Sequence, residues 1–276
     1  MSNWLESLPD GSILLADIHS GPEEPWKHHP SHPLWPYSPE FASDRALGWF
    51  LESLGEEARR VFTHWDMTET APPGDLRRFK GIVMTGSFGS ANDTEPWREV
   101  VKAWYRDVVR RQHRVPFLGI CGGHQLVAVA LGGTVGPNPN GKPEMGTRTV
   151  WFAPHRELKG ATHHDPLFVG IASKAGDSFD TNFSHREQVT TLPEGAIELA
   201  HNMVGPQAYR LSDHPTWGVQ WQPEARAAAL RRIVEQRNLR HLAQIIDDTP
   251  AGLRLLTNFL QYCADGGPLA HAGGVT

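Results

Sequence analysis

Two kinds of hydrophobic pattern alternate along the first half of the chain. Short runs that are almost wholly apolar recur, and between several of them apolar residues return at helical spacing. "SILLADI" (12–18) is the first compact run, and it suits a strand buried on both faces, as in a parallel sheet. A helical repeat over 43–54 follows, then "ARRVFTHW" (58–65) reads as a strand. "GIVMTG" (81–86) is a short apolar strand that runs into the glycine-rich turn "TGSFGS". Residues 96–113 place Pro96 at a first helical position and continue as an amphipathic repeat. "VPFLGI" (115–120) is the next strand, and "CGGHQLVAVALGG" (121–133) begins a helix that closes on glycines. Strand and helix alternate in units of roughly 30 residues, which predicts a parallel sheet with helices on both faces.

The second half changes character near residue 145. "TRTVWF", "SFDTNFSH", "AIELAHN", "QAYRL" and "WGVQW" are strand-like runs without helices between them, so an antiparallel or mixed extension is expected. Two helices, about 225–245 and 250–263, close a single domain over 1–264, and 265–276 reads as a flexible tail. The segment 19–41 fits neither regime. It carries six prolines, four histidines and two tryptophans, a proline density that forbids regular structure. A long surface loop is predicted there, and loops of that length are often lids over a site. Its histidines match no metal-ligand spacing, so no metal is expected.

Composition narrows the function classes. The chain has 276 residues, 39% hydrophobic and 21% charged, with a net charge of −5 and no block of like charge. That balance points away from nucleic-acid and membrane partners. No apolar run approaches the roughly 18 residues that span a bilayer, and the N-terminus lacks a basic region followed by an apolar one. A cytoplasmic protein is the expectation. The two cysteines, Cys121 and Cys263, are too few for a disulfide framework. No GxxxxGK[ST] phosphate cradle and no spaced Cys/His cluster occur, so neither ATP, zinc nor another cofactor is expected.

A lone cysteine is ordinarily a small buried hydrophobe. Cys263, in an apolar helical stretch, fits that description. Cys121 does not, because it stands at the junction of strand and helix, flanked by Gly119, Gly122 and Gly123. Such a junction makes the sharp elbow that presents a nucleophile. The helix N-terminus adds free N–H groups and positive partial charge, which favour a thiolate and can hold an oxyanion. A second oxyanion donor is expected from the turn at Gly86 and Ser87.

"GICGGHQ" closely resembles the nucleophile motif of the class I, triad-type glutamine amidotransferases. Five further segments resemble that family in the right order: "VMTGSFGSAND", "KPEMGTRTV", "HDPLFVGI", "SHREQVTTLPEGAIELA" and "WGVQWQPEA". The resemblance covers residues 12–225 and implies a flavodoxin-like, doubly wound, mostly parallel α/β sheet with its site at the carboxyl ends of the central strands. It implies that Cys121 attacks a glutamine side-chain amide, giving a γ-glutamyl thioester and ammonia. It also implies an oxyanion hole of Gly122 and the Gly86–Ser87 turn. Gln125, and Ser184 with His185 in "SHREQ", would help to hold substrate. His124 matches a position where many members carry histidine. A separate acceptor or synthetase subunit is a further implication, since no synthetase domain is fused here.

The closing motif departs from the family. Where G-V-Q-F-H-P-E is expected, the chain reads Gly218-Val219-Gln220-Trp221-Gln222-Pro223-Glu224. Gln222 therefore stands where the histidine base should be, and an amide has no basic nitrogen. Glu224 loses the ring it would orient. Three readings stay open: a repurposed enzyme in which Cys121 transfers an acyl group while Gln222 orients the substrate, a silent binding or regulatory subunit, and glutamine hydrolysis with a base from elsewhere. For the last, His185 is the candidate, although it reads first as a strand-end histidine bonded to backbone. His163 and His164 read as solvated loop residues.

Overall fold

The computed structural model describes residues 4–19, 45–87, 89–139, 141–153, 165–174, 176–236 and 240–267. The strands are β1 (Ile13–Asp17), β2 (Phe62–Asp66), β3 (Gly81–Met84), β4 (Phe117–Ile120), β5 (Thr134–Pro137), β6 (Glu144–Phe152), β7 (Ser178–His185), β8 (Glu187–Thr191), β9 (Ala196–His201), β10 (Pro206–Leu211) and β11 (Thr216–Val219). The helices are α1 (Trp4–Ser7), α2 (Arg45–Leu54), α3 (Pro96–Trp104), α4 (Gly122–Ala130), α5 (Ala227–Gln236), α6 (Arg240–Ala243) and α7 (Pro250–Ala264).

Nine strands form one sheet in the order β2-β1-β3-β4-β11-β10-β9-β6-β7, and β5 pairs with β8 apart from it. The first five are parallel, in the flavodoxin-like order that places sites at strand carboxyl ends. Their runs are apolar on both sides because both faces are covered. Ile13, Leu15, Val83, Leu118 and Ile120 pack on the side of α1, α2 and α7. Leu14, Ala16, Ile82, Met84 and Phe117 pack on the side of α3 and α4. Periodicity alone therefore cannot assign a face, and the alternation emerges only once both helix layers are in place.

The antiparallel strands β10, β9, β6 and β7 extend the same sheet. β6 meets β9 at only two register positions, Trp151 with His201 and Phe152 with Ala200, so the β6–β7 hairpin is free to splay. It folds back over the parallel half. The backbone N–H of Gln222, beyond β11, donates to Asn182 of β7 at 3.0 Å although three strands lie between them in the sheet.

Several boundaries differ from those the sequence predicts. The expected strand over 58–65 starts only at Phe62, because Glu56–Val61 form a 3-10 turn. The helix expected over 96–113 holds α geometry to Trp104 and then widens to a π-helix over Tyr105–His113, closed by a bond from Arg114 N–H to the Val109 carbonyl. β11 ends at Val219, not at Gln222, because its parallel neighbour β4 turns away into α4 at that level. The β5–β8 pair has no counterpart in the hydrophobic pattern. The helix expected over 225–245 is α5 and α6, with 237–239 outside the described residues. Most of the Pro/His-rich segment, the tail beyond 267, and His163 with His164 also lie outside them. No helix among the described residues is long and apolar enough to cross a membrane.

Candidate active site

Four strand ends converge at Cys121. The residue has φ 47° and ψ −102°, left-handed backbone that a side chain rarely adopts, and it is the N-cap of α4. Its N–H donates to the Val219 carbonyl at 2.8 Å, so the last bond between β4 and β11 is made by the elbow itself. Close packing around it demands glycine: a Cβ on Gly122 would lie 2.4 Å from Ser87 N and on top of the Ser87 side chain. Ser87 N and the start of α4 are thereby pressed together beside the sulfur. The loop carrying Ser87 is braced from behind by buried Arg98, which reaches Ser87 Oγ at 3.4 Å, Glu95 at 2.7 Å and Asp93 at 3.6 Å.

Amides surround the thiol. Gln220 Nε2 donates to Cys121 Sγ at 3.6 Å, and its Oε1 accepts from Gln125 Nε2 at 3.1 Å. Gln125 Nε2 also donates to the Glu187 carbonyl at 2.6 Å, which anchors it to β8. Gln222 is buried, and its Oε1 has no hydrogen-bond partner among the described residues. Glu224 is 1% exposed and both its carboxyl oxygens lack partners as well.

Electrostatics follow from that burial. Desolvation pushes the Cys121 thiol up to about 12, and the nearby Glu224 carboxyl adds to the rise. Bonds from Gln222, the Gly122 N–H and Gln220 work the other way without offsetting it. The helix N-terminus alone would favour a thiolate; in the closed, substrate-free site burial wins and the thiol is protonated. Glu224 is likewise raised by burial to about 8, opposed only by its own backbone N–H, so it is a neutral acid at pH 7. Burial lowers His124 to about 3, and this neutral ring packs on Tyr209, whose hydroxyl donates to the His124 carbonyl.

The remaining sequence candidates lie further round. Gly86 follows β3 and faces the site directly. Ser184 and His185 end β7, with Ser184 half-buried opposite Met145. His185 has both ring nitrogens occupied, Nε2 by Glu144 at 2.8 Å and Nδ1 by the Glu187 carbonyl at 3.0 Å. That leaves no lone pair to turn towards Cys121. Sequence reasoning misses Glu144, which also accepts from Asn202 at 2.8 Å, together with Gln220 and the buried pair Asp17–His19 at the end of β1. The visible signal for the last is a carboxylate, Asp17, at the end of an otherwise apolar strand. Among the described residues no cluster of His, Cys, Asp and Glu could hold a metal ion.

A flavodoxin-like sheet with a cysteine elbow at the end of a central strand defines a protein of cysteine-dependent acyl chemistry by architecture. Comparison gives the family. The profile described as glutamine amidotransferase class-I matches residues 51–239, and the chain belongs to that family. The glutamine-hydrolyzing GMP synthase component from Methanosarcina barkeri, one of two separate chains by its name, is 32% identical over 155 residues, covering 55% of this chain and 62% of that protein. The corresponding component from Archaeoglobus fulgidus is 31% identical over 176 residues, covering 63% and 79%. The longer GMP synthase of Porphyromonas gingivalis is 30% identical over 192 residues, only 30% of its length. Among solved structures, a glutamine amidotransferase from Thermotoga maritima superposes with a TM-score of 0.63 at 19% identity, covering 92% of this chain and 99% of that one. One from Methylobacillus flagellatus gives 0.58 at 21%, covering 93% of each. These two likenesses establish the fold.

Proposed function

We propose that Cys121 takes an acyl group from the side-chain amide of glutamine, or of a glutamine-like amide, and transfers it to water or an amine. The observation that carries this reading is the left-handed elbow at Cys121, a strain with no structural purpose unless the sulfur must be presented. Sγ attacks the amide carbon; the developing oxyanion is met by the N–H groups of Ser87 and Gly122; the C–N bond breaks and ammonia leaves. Gln222 orients the substrate, since its unpartnered Oε1 is an acceptor for the carboxamide N–H. The Gln220–Gln125 chain fixes the far side of the sulfur. The relatives named as one component of GMP synthase support a separate synthetase chain as the consumer of the ammonia.

Intact-mass spectrometry of the protein with glutamine, other amides and thioesters tests the reading. A covalent adduct is expected on the native chain and is lost in Cys121→Ala. No adduct and no turnover with any of them would leave the chain in a binding or regulatory role.

A further inference from the structure

An acyl carrier at Cys121 leaves one proton without a vehicle, because the position before Pro223 holds an amide. A second carboxylate–imidazole pair stands at the end of β1. Asp17 is 1% exposed and accepts from His64 Nε2 on Oδ2 at 2.8 Å, and from the His19 backbone N–H on Oδ1 at 2.8 Å. His19 Nδ1 lies 3.6 Å from that same Oδ1. Thr85 locks the pair against the end of β3: its Oγ1 accepts the Ile18 N–H at 2.9 Å and donates to Asp17 Oδ1 at 3.3 Å. The His19 ring also meets Trp49 edge-on at 5.7 Å.

These restraints turn the other ring nitrogen towards the thiol. A methyl carbon placed on Gly86 would lie 3.2 Å from His19 Nε2, 3.5 Å from Cys121 Cβ and 3.6 Å from Gln222 Oε1. Imidazole, cysteine and amide thus flank one point, and a side chain at 86 would intrude between them.

We propose that His19, held by Asp17, is the proton carrier of the Cys121 reaction in place of an imidazole beside Pro223. This rests on the acyl chemistry proposed above. A carboxylate beside Nδ1 favours the tautomer with the proton there and leaves the Nε2 lone pair facing the site. Burial opposes the charge on Asp17, but bonds from His19 and His64 outweigh it and hold its carboxyl well below the usual carboxylate range. As Sγ bonds to the amide carbon, its proton passes to Nε2. The imidazolium returns that proton to the leaving nitrogen as C–N breaks, and ammonia departs. Nε2 then accepts a proton from water while the water oxygen attacks the thioester, and gives it to sulfur as glutamate leaves.

The test pairs glutamine turnover with a substrate-independent rate, the alkylation of Cys121 by iodoacetamide followed by peptide mass spectrometry on the whole chain. His19→Gln keeps size and hydrogen bonding but cannot shuttle a proton; both rates are expected to fall about 10²-fold or more. Adding Gln222→His to His19→Gln is expected to recover turnover, which a purely structural His19 would not permit. Rates within twofold of the native protein in His19→Gln, or a loss that Gln222→His leaves untouched, would overturn the assignment. A native chain that turns over no amide, yet whose alkylation still depends on His19, would defeat the acyl-transfer reading and leave His19 assigned.

Discussion

Glu224 is a carboxyl kept in the interior after losing the ring it would orient. Its folded pKa, about 8, lies above the ordinary 4.5, so the folded state holds a proton that the unfolded state releases. This group therefore costs nothing below pH 4.5, and its penalty grows as pH rises to about 8, where it levels off. Glu224→Gln removes the penalty. Denaturant titrations should show the variant matching the native protein near pH 4.5 and exceeding it by ~3–5 kcal/mol above pH 8. A constant difference across that range would mean the carboxyl is ionised in the fold. The same substitution lifts a negative charge from beside Cys121, so alkaline alkylation of the thiol should quicken.

At the scale of elements, the elbow joins β4 to α4 by pressing two backbones together. Gly122→Ala puts a Cβ 2.4 Å from Ser87 N, and backbone cannot yield as a flexible side chain can. Turnover should fall about 10²–10³-fold as the Ser87 N–H is displaced, at a stability cost of ~1–3 kcal/mol. Unchanged kinetics in this variant would remove Ser87 from the oxyanion site. The elbow is legible in "GICGGHQ" because glycines at a strand–helix junction have few other purposes. The short β5–β8 pair is not, since neither strand has a face of its own to pattern. His19 is hidden for a different reason. It is the first residue of a proline-rich run and reads as part of that loop, whereas Thr85, distant in sequence, ties it to the sheet. Hydrogen bonds between strand ends leave no periodic trace.

Across the whole molecule, the antiparallel half of the sheet closes over the parallel half, and Trp221 is where they meet. Its ring is fully buried against Phe168, Phe179 and Phe183, with centroids 5.7–6.4 Å away. Trp221→Ala should cost ~3–5 kcal/mol in denaturant unfolding. Trp221→Phe should cost far less, because the indole N–H has no partner among the described residues to lose. Equal losses in the two would show that a hydrogen bond, not packing, holds the junction. The family match begins at residue 51, so β1 with Asp17 and His19 enters the site from outside the matched span. This closure also bears on survival under oxidative stress. With its pKa near 12, Cys121 is a thiolate in roughly one molecule in 10⁵ at pH 7, and peroxide attacks only the thiolate. The idle protein should therefore resist peroxide in a sulfenic-acid trapping assay, with damage confined to molecules caught in turnover; rapid trapping without substrate would contradict this. Such a cysteine is armed by its substrate and inert between encounters.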